Sequence, residues 1–164
     1  VSDDKWIDES AEGNFVEIQE VITGVRTLRA EMNVPPGMRA DLLIRSDNGQ
    51  SLKLNEQLIR DLAKVDDLTI EPDVERPDKS ATVVVGKKEL FIPLGDLIDV
   101  ETEKKRLTEK IESLDGRLSS VAAKLNNQDF VSRAPKEVVD RERKKLGDMK
   151  ENLAKLKQNY TYLE

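Results

Sequence analysis

The sequence predicts an α+β fold: an N-terminal amphipathic helix, a small module of four strands and one helix, and a long antiparallel helical hairpin. Apolar residues recur at helical spacing at both ends of the chain, whereas β-branched runs between turn signals occupy the middle. Charged residues make up 37% of the 164 residues and aromatic residues only 4%. Such a composition suits helices with solvated faces better than one large core.

The composition also excludes several classes of function. The chain has no cysteine and no histidine, which excludes disulfides, thiol nucleophiles, Ser-His-Asp triads and ordinary zinc sites. No apolar run approaches the roughly 20 residues of a membrane span. The chain begins with Val-Ser-Asp-Asp rather than Met, so we expect a piece of a longer soluble protein.

No catalytic constellation is visible, and we expect neither a catalytic residue nor a metal ligand in this chain. The carboxylate pairs Asp3-Asp4 and Asp66-Asp67 are expected in turns or tails, exposed to solvent. Gly86 and Gly95 are isolated turn glycines and form no phosphate-binding loop.

Residues 1–36 predict an irregular lead-in, containing Trp6 and Ile7, followed by one helix. Asn14 and Glu17 are spaced as a capping box, which places the helix start near Phe15. Pro35-Pro36-Gly37 ends the helix. A single helix cannot bury its own apolar stripe, so it must lie against the next module or an upstream one. The stripe is Phe15, Ile18, Ile22, Val25, Leu28 and Met32.

Residues 37–96 predict a module in the order strand, helix, strand, strand, strand. The strands are expected at 40–45, 68–70, 82–85 and 89–92, and the region from 71 to 79 is expected as a loop. The helix between the first two strands should turn Leu58, Ile59 and Leu62 inward. Lys87-Lys88 reads as a solubilising pair at an exposed hairpin turn.

Residues 97–164 predict an antiparallel coiled-coil arm. Two apolar seams alternate steps of three and four residues, and a break at 126–135 joins them. Pro135 suits the first turn of the second helix. Glu142 and Arg143 stand where the second seam needs an apolar residue, so the seam should be weakest there. The seams are Leu107, Ile111, Leu114, Leu118, Val121 and Leu125, and then Val139, Leu146, Met149, Leu153, Leu156, Tyr160 and Leu163.

Charge is distributed unevenly along the chain. The net charge is −6, yet residues 101–164 carry 15 basic and 12 acidic side chains, and the whole surplus lies between residues 124 and 145. A stiff arm with a basic end suits contact with a phosphate backbone. The alternative is that these side chains only solvate the hairpin and pair with Glu137 and Asp140. Phe130 presents a similar choice between stacking on a base and, the reading we favour, plugging the open end of the coiled coil.

Several short stretches resemble the class I valyl-tRNA synthetases of bacterial type. Val25-Arg26-Thr27-Leu28-Arg29-Ala30-Glu31-Met32-Asn33-Val34-Pro35-Pro36 resembles the last helix of the family's anticodon-binding domain. Ile92-Pro93-Leu94, Leu97-Ile98-Asp99 and Glu103 with Arg106-Leu107 resemble the entry to its C-terminal arm. The turn of that arm is matched by Lys124-Leu125, Asn127, Phe130-Val131, Ala134-Pro135, Val138-Val139 and Glu142-Arg143, with Gln128 standing where an acidic residue is common.

The resemblance implies a tRNA-positioning C-terminal region, cytoplasmic and active in protein biosynthesis. Its coiled coil would pack against the outer corner of tRNA(Val), while upstream anticodon-binding and catalytic domains of the same chain perform ATP- and Mg-dependent valine ligation and editing. The resemblance implies a monomeric full-length enzyme. This stretch alone would hold no cofactor, bind no membrane and be inactive.

The resemblance and the charge pattern together suggest which residues contact RNA. Arg26 and Arg29 are further candidates, for contact with the anticodon stem. We favour the alternative that they have a structural role and pair with Glu31 and neighbouring helices. A coiled-coil protein-docking module of the prefoldin kind is the main alternative; such modules, however, place their strands between the two long helices. The candidate tRNA contacts are Lys124, Arg133, Lys136, Arg141, Lys144 and Lys145.

Overall fold

A computed structural model describes the backbone from Glu9 to Glu164 and the side chains from residue 11 onward. Trp6, Ile7 and the Asp3-Asp4 pair lie outside the described residues. The chain divides between Asp99 and Val100 into two compact units, which are described separately below. The expected domain boundaries at 36/37 and 96/97 remain predictions.

Helix α1 spans Glu9–Glu31 and begins earlier than predicted. The predicted capping box is wrong, because Asn14 lies within the helix and the Glu17 carboxylate instead accepts hydrogen bonds from Ser51 and Lys88. Phe15 is exposed, whereas Val21 joins the buried stripe. The stripe itself is otherwise as predicted, with Ile18, Ile22, Val25, Leu28 and Met32 buried.

The end of α1 is fixed by a left-handed residue and the predicted proline pair. Asn33 has φ 57°, and the Val34 amide donates back to the Arg29 carbonyl at 2.9 Å. This arrangement satisfies a carbonyl at the helix end before Pro35 and Pro36 exclude further helix.

The first unit contains one mixed sheet in the order β2-β1-β4-β3. Strands β1 and β2 are parallel, and β1 with β4 and β3 with β4 are antiparallel. The predicted order of strand, helix, strand, strand, strand is confirmed, although the helical connection has two pieces. The bounds are β1 Ala40–Arg45, α2 Gln50–Leu54, α3 Glu56–Ala63, β2 Val65–Glu71, β3 Ser80–Val85 and β4 Lys88–Pro93.

The predicted inward face of helix α3 is confirmed at Ile59 and wrong at Leu58 and Leu62. Ile59 and Ala63 are its buried residues, whereas Leu58 and Leu62 are exposed by 39% and 50%. Lys64, with φ 56°, ends the helix in a left-handed conformation so that β2 can start at Val65. The expectation of a turn at Asp66-Asp67 is wrong as well, because both residues lie within β2.

Helix α1 packs against β3 and α3 of the same unit. These two elements therefore cover its apolar stripe. The approach to β3 is close at Gly24, where an added Cβ would lie 2.9 Å from Cγ2 of Val85. Lys88 reaches across to Glu17 and is largely buried, with 13% of its side chain exposed. It is therefore an anchor for α1 and not the solubilising residue that was predicted.

The second unit is the predicted helical hairpin. Helix α4 spans Val100–Asn126 and helix α6 spans Lys136–Thr161, and the two pack against each other along their length. A short helix α5, Gln128–Arg133, lies in the break and was not predicted. Leu107, Val121, Val139, Met149 and Leu153 are buried in the seams, as their spacing indicated.

Candidate nucleic-acid interface

The break between the two long helices is ordered by one asparagine. The Asn127 side-chain oxygen accepts hydrogen bonds from the amides of Asp129 at 3.0 Å and Phe130 at 3.4 Å, which starts α5. Pro135 then stands immediately before α6. We call residues 124–145 the tip, and residues 100–123 with 146–161 the shaft.

Lys124 connects three parts of the tip. Its Nζ lies 3.6 Å from Oε1 of Glu142 and 4.7 Å from the centroid of the Phe130 ring. Glu142 stands in the seam, with 16% of its side chain exposed, so its charge needs a partner. The ammonium ion supplies that partner and covers one face of a half-buried ring. The contact favours a plugging role for Phe130.

The other five candidate residues are exposed at the tip. Among the described residues none of the five forms an ion pair. In the alternative interpretation these side chains pair with Glu137 and Asp140; of these two carboxylates only Asp140 forms an ion pair among the described residues, and its partner is Arg143, at 3.8 Å. The tip therefore presents uncompensated positive charge on Arg133, Lys136, Arg141, Lys144 and Lys145.

The two candidates on α1 differ sharply in their surroundings. Arg26 is exposed. Arg29 is 7% exposed, and its guanidinium donates to the carbonyls of Lys64 at 3.1 Å and Met38. Burial lowers the pKa of this guanidinium, although an arginine remains charged. These contacts favour a structural role for Arg29, which joins the end of α1 to the ends of α3 and β1.

The shaft carries two further basic side chains whose surroundings the linear charge count did not reveal. Lys110 and Arg117 border an open recess of about 420 Å³ between α4 and α6, which Glu109, Leu114 and Leu156 also line. They are seven residues apart and so lie on one face of α4. The signal that the sequence analysis missed was this seven-residue spacing.

The described residues contain no group of three or more carboxylates placed to hold a metal ion. None of the helices in this part of the chain is long and apolar enough to cross a membrane.

Comparison with known families identifies the hairpin. Residues 99–164 match the family model described as the valyl tRNA synthetase tRNA binding arm. The hairpin belongs to that family. The matched range coincides with the second unit, and the arm therefore comprises α4, α5 and α6.

Similarity to valyl-tRNA synthetases extends beyond the arm into the first unit. The chain is 38% identical to the valine–tRNA ligase of Syntrophotalea carbinolica over 154 residues, which cover 92% of this chain and 17% of that protein. Against the valine–tRNA ligase of Fusobacterium nucleatum it is 32% identical over 167 residues, covering 100% and 19%. The Geobacter sulfurreducens ligase is 39% identical over 135 residues, covering 80% and 15%. The chain spans less than a fifth of the length of these relatives.

Proposed function

We propose that this chain is the tRNA-binding region of a valine–tRNA ligase and that the tip of its arm holds tRNA(Val) by the phosphates of the outer corner. The observation that carries the proposal is the set of five exposed basic side chains on the tip that have no ion-pair partner among the described residues. Uncompensated cations on rigid helices are suited to phosphate oxygens. Lys124 belongs to the same surface, but Glu142 neutralises it.

Recognition by such a surface depends on shape and backbone. Lysine and arginine side chains that project from a helix end grip phosphates, whereas base edges in folded RNA are read mainly in unpaired segments. Phe130, the aromatic residue of the tip, is half-buried beneath Lys124 and offers little area for stacking. The arm is therefore expected to bind folded tRNA of any identity, leaving the choice of tRNA(Val) to other domains.

Activity would reside in parts of the enzyme outside this chain. The relatives are ligases more than five times its length, and we infer that ATP, Mg²⁺, valine and the editing reaction belong to upstream domains of one monomeric, cytoplasmic enzyme. Within this chain, Arg26 is the one α1 arginine whose exposure permits contact with the anticodon stem.

A protein-docking hairpin of the prefoldin kind is not favoured. All four strands precede both long helices, and the hairpin matches a tRNA-binding family.

Reversal of charge at the tip tests the proposal. The triple variant Arg141→Glu, Lys144→Glu, Lys145→Glu should bind tRNA(Val) at least about tenfold more weakly, and the slope of log affinity against log salt should fall by about two to three units. The matched control reverses Lys105, Lys150 and Lys157, three exposed lysines of the shaft. Equal losses in the two triple variants would refute a specific tip contact.

A further inference from the structure

We propose that Asn48 is a site of spontaneous covalent modification, at which its side-chain amide becomes a carboxyl group by way of a cyclic imide formed with Gly49. The two residues lie in the irregular segment that joins β1 to α2. The modification belongs to the first unit and does not depend on the proposed function of the arm. Both reacting groups belong to adjacent residues, and the only other reactant is water.

The reaction joins the backbone nitrogen of Gly49 to the side-chain carbonyl carbon of Asn48. The nitrogen gives its proton to solvent base and bonds to that carbon, and the side-chain nitrogen takes up a proton and leaves as ammonia. Water then opens the imide at one of its two carbonyl carbons. Opening at the backbone-side carbonyl gives isoaspartate, in which the main chain runs through the former side chain, and opening at the other carbonyl gives aspartate.

The attacking nitrogen is neither crowded nor engaged. Glycine has no Cβ to crowd its own nitrogen, and Asn48 is the only one of the eight asparagines that a glycine follows. The Gly49 amide donates no hydrogen bond to any residue that the structure describes. Its carbonyl, in contrast, accepts from the Lys53 amide at 2.9 Å. The nitrogen therefore has no acceptor to give up before it attacks.

The carbon under attack is open to solvent. The Asn48 side chain is exposed and forms no hydrogen bond with the described part of the chain. It borders two open recesses of about 480 and 400 Å³, so water reaches it from two sides. Only the backbone amide of Asn48 is tied, to Oγ of Ser46 at 3.3 Å. Base, the departing ammonia and the water that opens the imide all have access.

Other positions show what prevents the reaction elsewhere in the chain. The Asn55 side chain donates to the Ser51 carbonyl at 2.8 Å, and the Asn127 side chain accepts from the two amides that start α5. Both are followed by residues with long side chains. Asp115 is followed by a glycine but lies inside α4, where helix hydrogen bonding holds the glycine amide.

The isoaspartyl product should loosen the connection between β1 and α2. Gly49 fits so closely against Ile70 of β2 that an added Cβ would collide with a methyl group of that side chain. Isoaspartate lengthens the main chain directly before this point, and only residues 46–49 separate β1 from α2 to absorb the change. The aspartate product leaves the main chain as it was and adds one negative charge beside Asp47.

The test incubates the whole 164-residue chain in mildly alkaline buffer at physiological temperature and follows each asparagine-containing peptide by mass spectrometry. Conversion at Asn48 should be at least about tenfold faster than at any other asparagine, because only there does a glycine follow. Isoaspartate is detected separately, by transfer of a labelled methyl group from S-adenosylmethionine with a purified isoaspartate methyltransferase.

Two variants make the test specific. Asn48→Gln blocks the reaction, since its longer side chain must close a larger ring. The matched control is Asn14→Gln, because Asn14 is also exposed and borders one of the two recesses but lies in α1 before a phenylalanine. Loss of methyl acceptance in Asn48→Gln, with acceptance unchanged in Asn14→Gln, supports the site. Methyl acceptance that persists in Asn48→Gln overturns it, as does an Asn48 that stays intact in the folded chain.

The predicted loosening has its own measurement. The isoaspartyl fraction, separated by ion exchange, should melt at least about 3 °C below the fresh chain. Asn48→Asp, which reproduces the added charge without the longer main chain, should melt within about 1 °C of it. A lower melting temperature in the isoaspartyl fraction alone supports the close fit of Gly49 against Ile70 as the cause. Equal melting temperatures in the isoaspartyl fraction and the fresh chain overturn the predicted loosening.

Discussion

Lys124 and Glu142 form an ion pair across the hairpin, with Nζ and Oε1 3.6 Å apart at the point where the apolar seam is interrupted. The carboxylate occupies a seam position and is 16% exposed, while the lysine is 46% exposed. The pair therefore joins the end of α4 to the start of α6 while the lysine stays accessible to solvent. A substitution at Lys124 and one at Glu142 should therefore have different effects on stability and on RNA binding.

Replacing Lys124 and replacing Glu142 should change the free energy of unfolding in opposite directions. Lys124→Gln leaves a mostly buried carboxylate without its partner and should lower the free energy of unfolding by about 1 kcal/mol. Glu142→Leu restores an apolar seam residue and should raise it by about 1 kcal/mol, since the freed lysine is solvated. Urea unfolding followed by circular dichroism measures both. A loss of stability in Glu142→Leu would contradict the assignment of this position to the seam.

Arg29 and Arg26 provide a matched pair on one helix. Arg29→Lys keeps the charge but cannot reproduce the fork of hydrogen bonds to the Lys64 and Met38 carbonyls. We expect it to lower the free energy of unfolding by about 2 kcal/mol. Arg26→Lys, at an exposed position, should change it by less than about 0.5 kcal/mol. Equal effects in thermal unfolding would refute the structural role of Arg29.

Glu17 should make the first unit sensitive to acid. Burial raises the pKa of this carboxyl, but the hydrogen bonds from Lys88 and Ser51 outweigh it, and the pKa in the folded chain is lowered. A lowered folded pKa contributes stability above the unfolded value of 4.5 and loses it as pH falls through the folded value. Glu17→Gln should therefore be less stable than the unsubstituted chain at pH 7, with the difference closing below pH 4.5. A difference independent of pH would show that the charge of Glu17 is not the cause.

Substitution of Gly24 tests how closely α1 approaches β3. An added Cβ would lie 2.9 Å from a methyl group of Val85, a stiff β-branched side chain. Gly24→Ala should therefore destabilise by about 1 kcal/mol despite the better helix propensity of alanine. Gly13→Ala, in the same helix with open space around the site, should stabilise by about 0.5 kcal/mol. Stabilisation by both substitutions would mean that α1 sits farther from β3.

The sequence predicted most elements because each one has a strong local signal. β-branched runs predicted the strands, the heptad spacing predicted both helices of the hairpin, and Pro35-Pro36 predicted the end of α1. The errors arose where tertiary contacts override such signals. Glu17 has capping-box spacing but binds Lys88, and Leu58 and Leu62 look buried although the course of α3 turns Ile59 and Ala63 inward.

The candidate site was predictable only in part, for a physical reason. The clustering of positive charge at residues 124–145 is visible in the linear sequence, but which cations remain uncompensated depends on pairing across the hairpin. Lys124, which the sequence predicts as an RNA contact, is paired with Glu142 across the hairpin.

Direct binding to RNA tests the central claim. The chain would be titrated against tRNA(Val), an unrelated tRNA and an unstructured single-stranded RNA at roughly 50 and 200 mM salt. We predict similar affinity for both tRNAs, weaker binding to the single strand, and a loss of about 100-fold or more in tRNA affinity between the two salt concentrations. No binding to tRNA at the lower salt, or equal binding to tRNA and single-stranded RNA, would contradict an arm that grips the phosphates of folded tRNA.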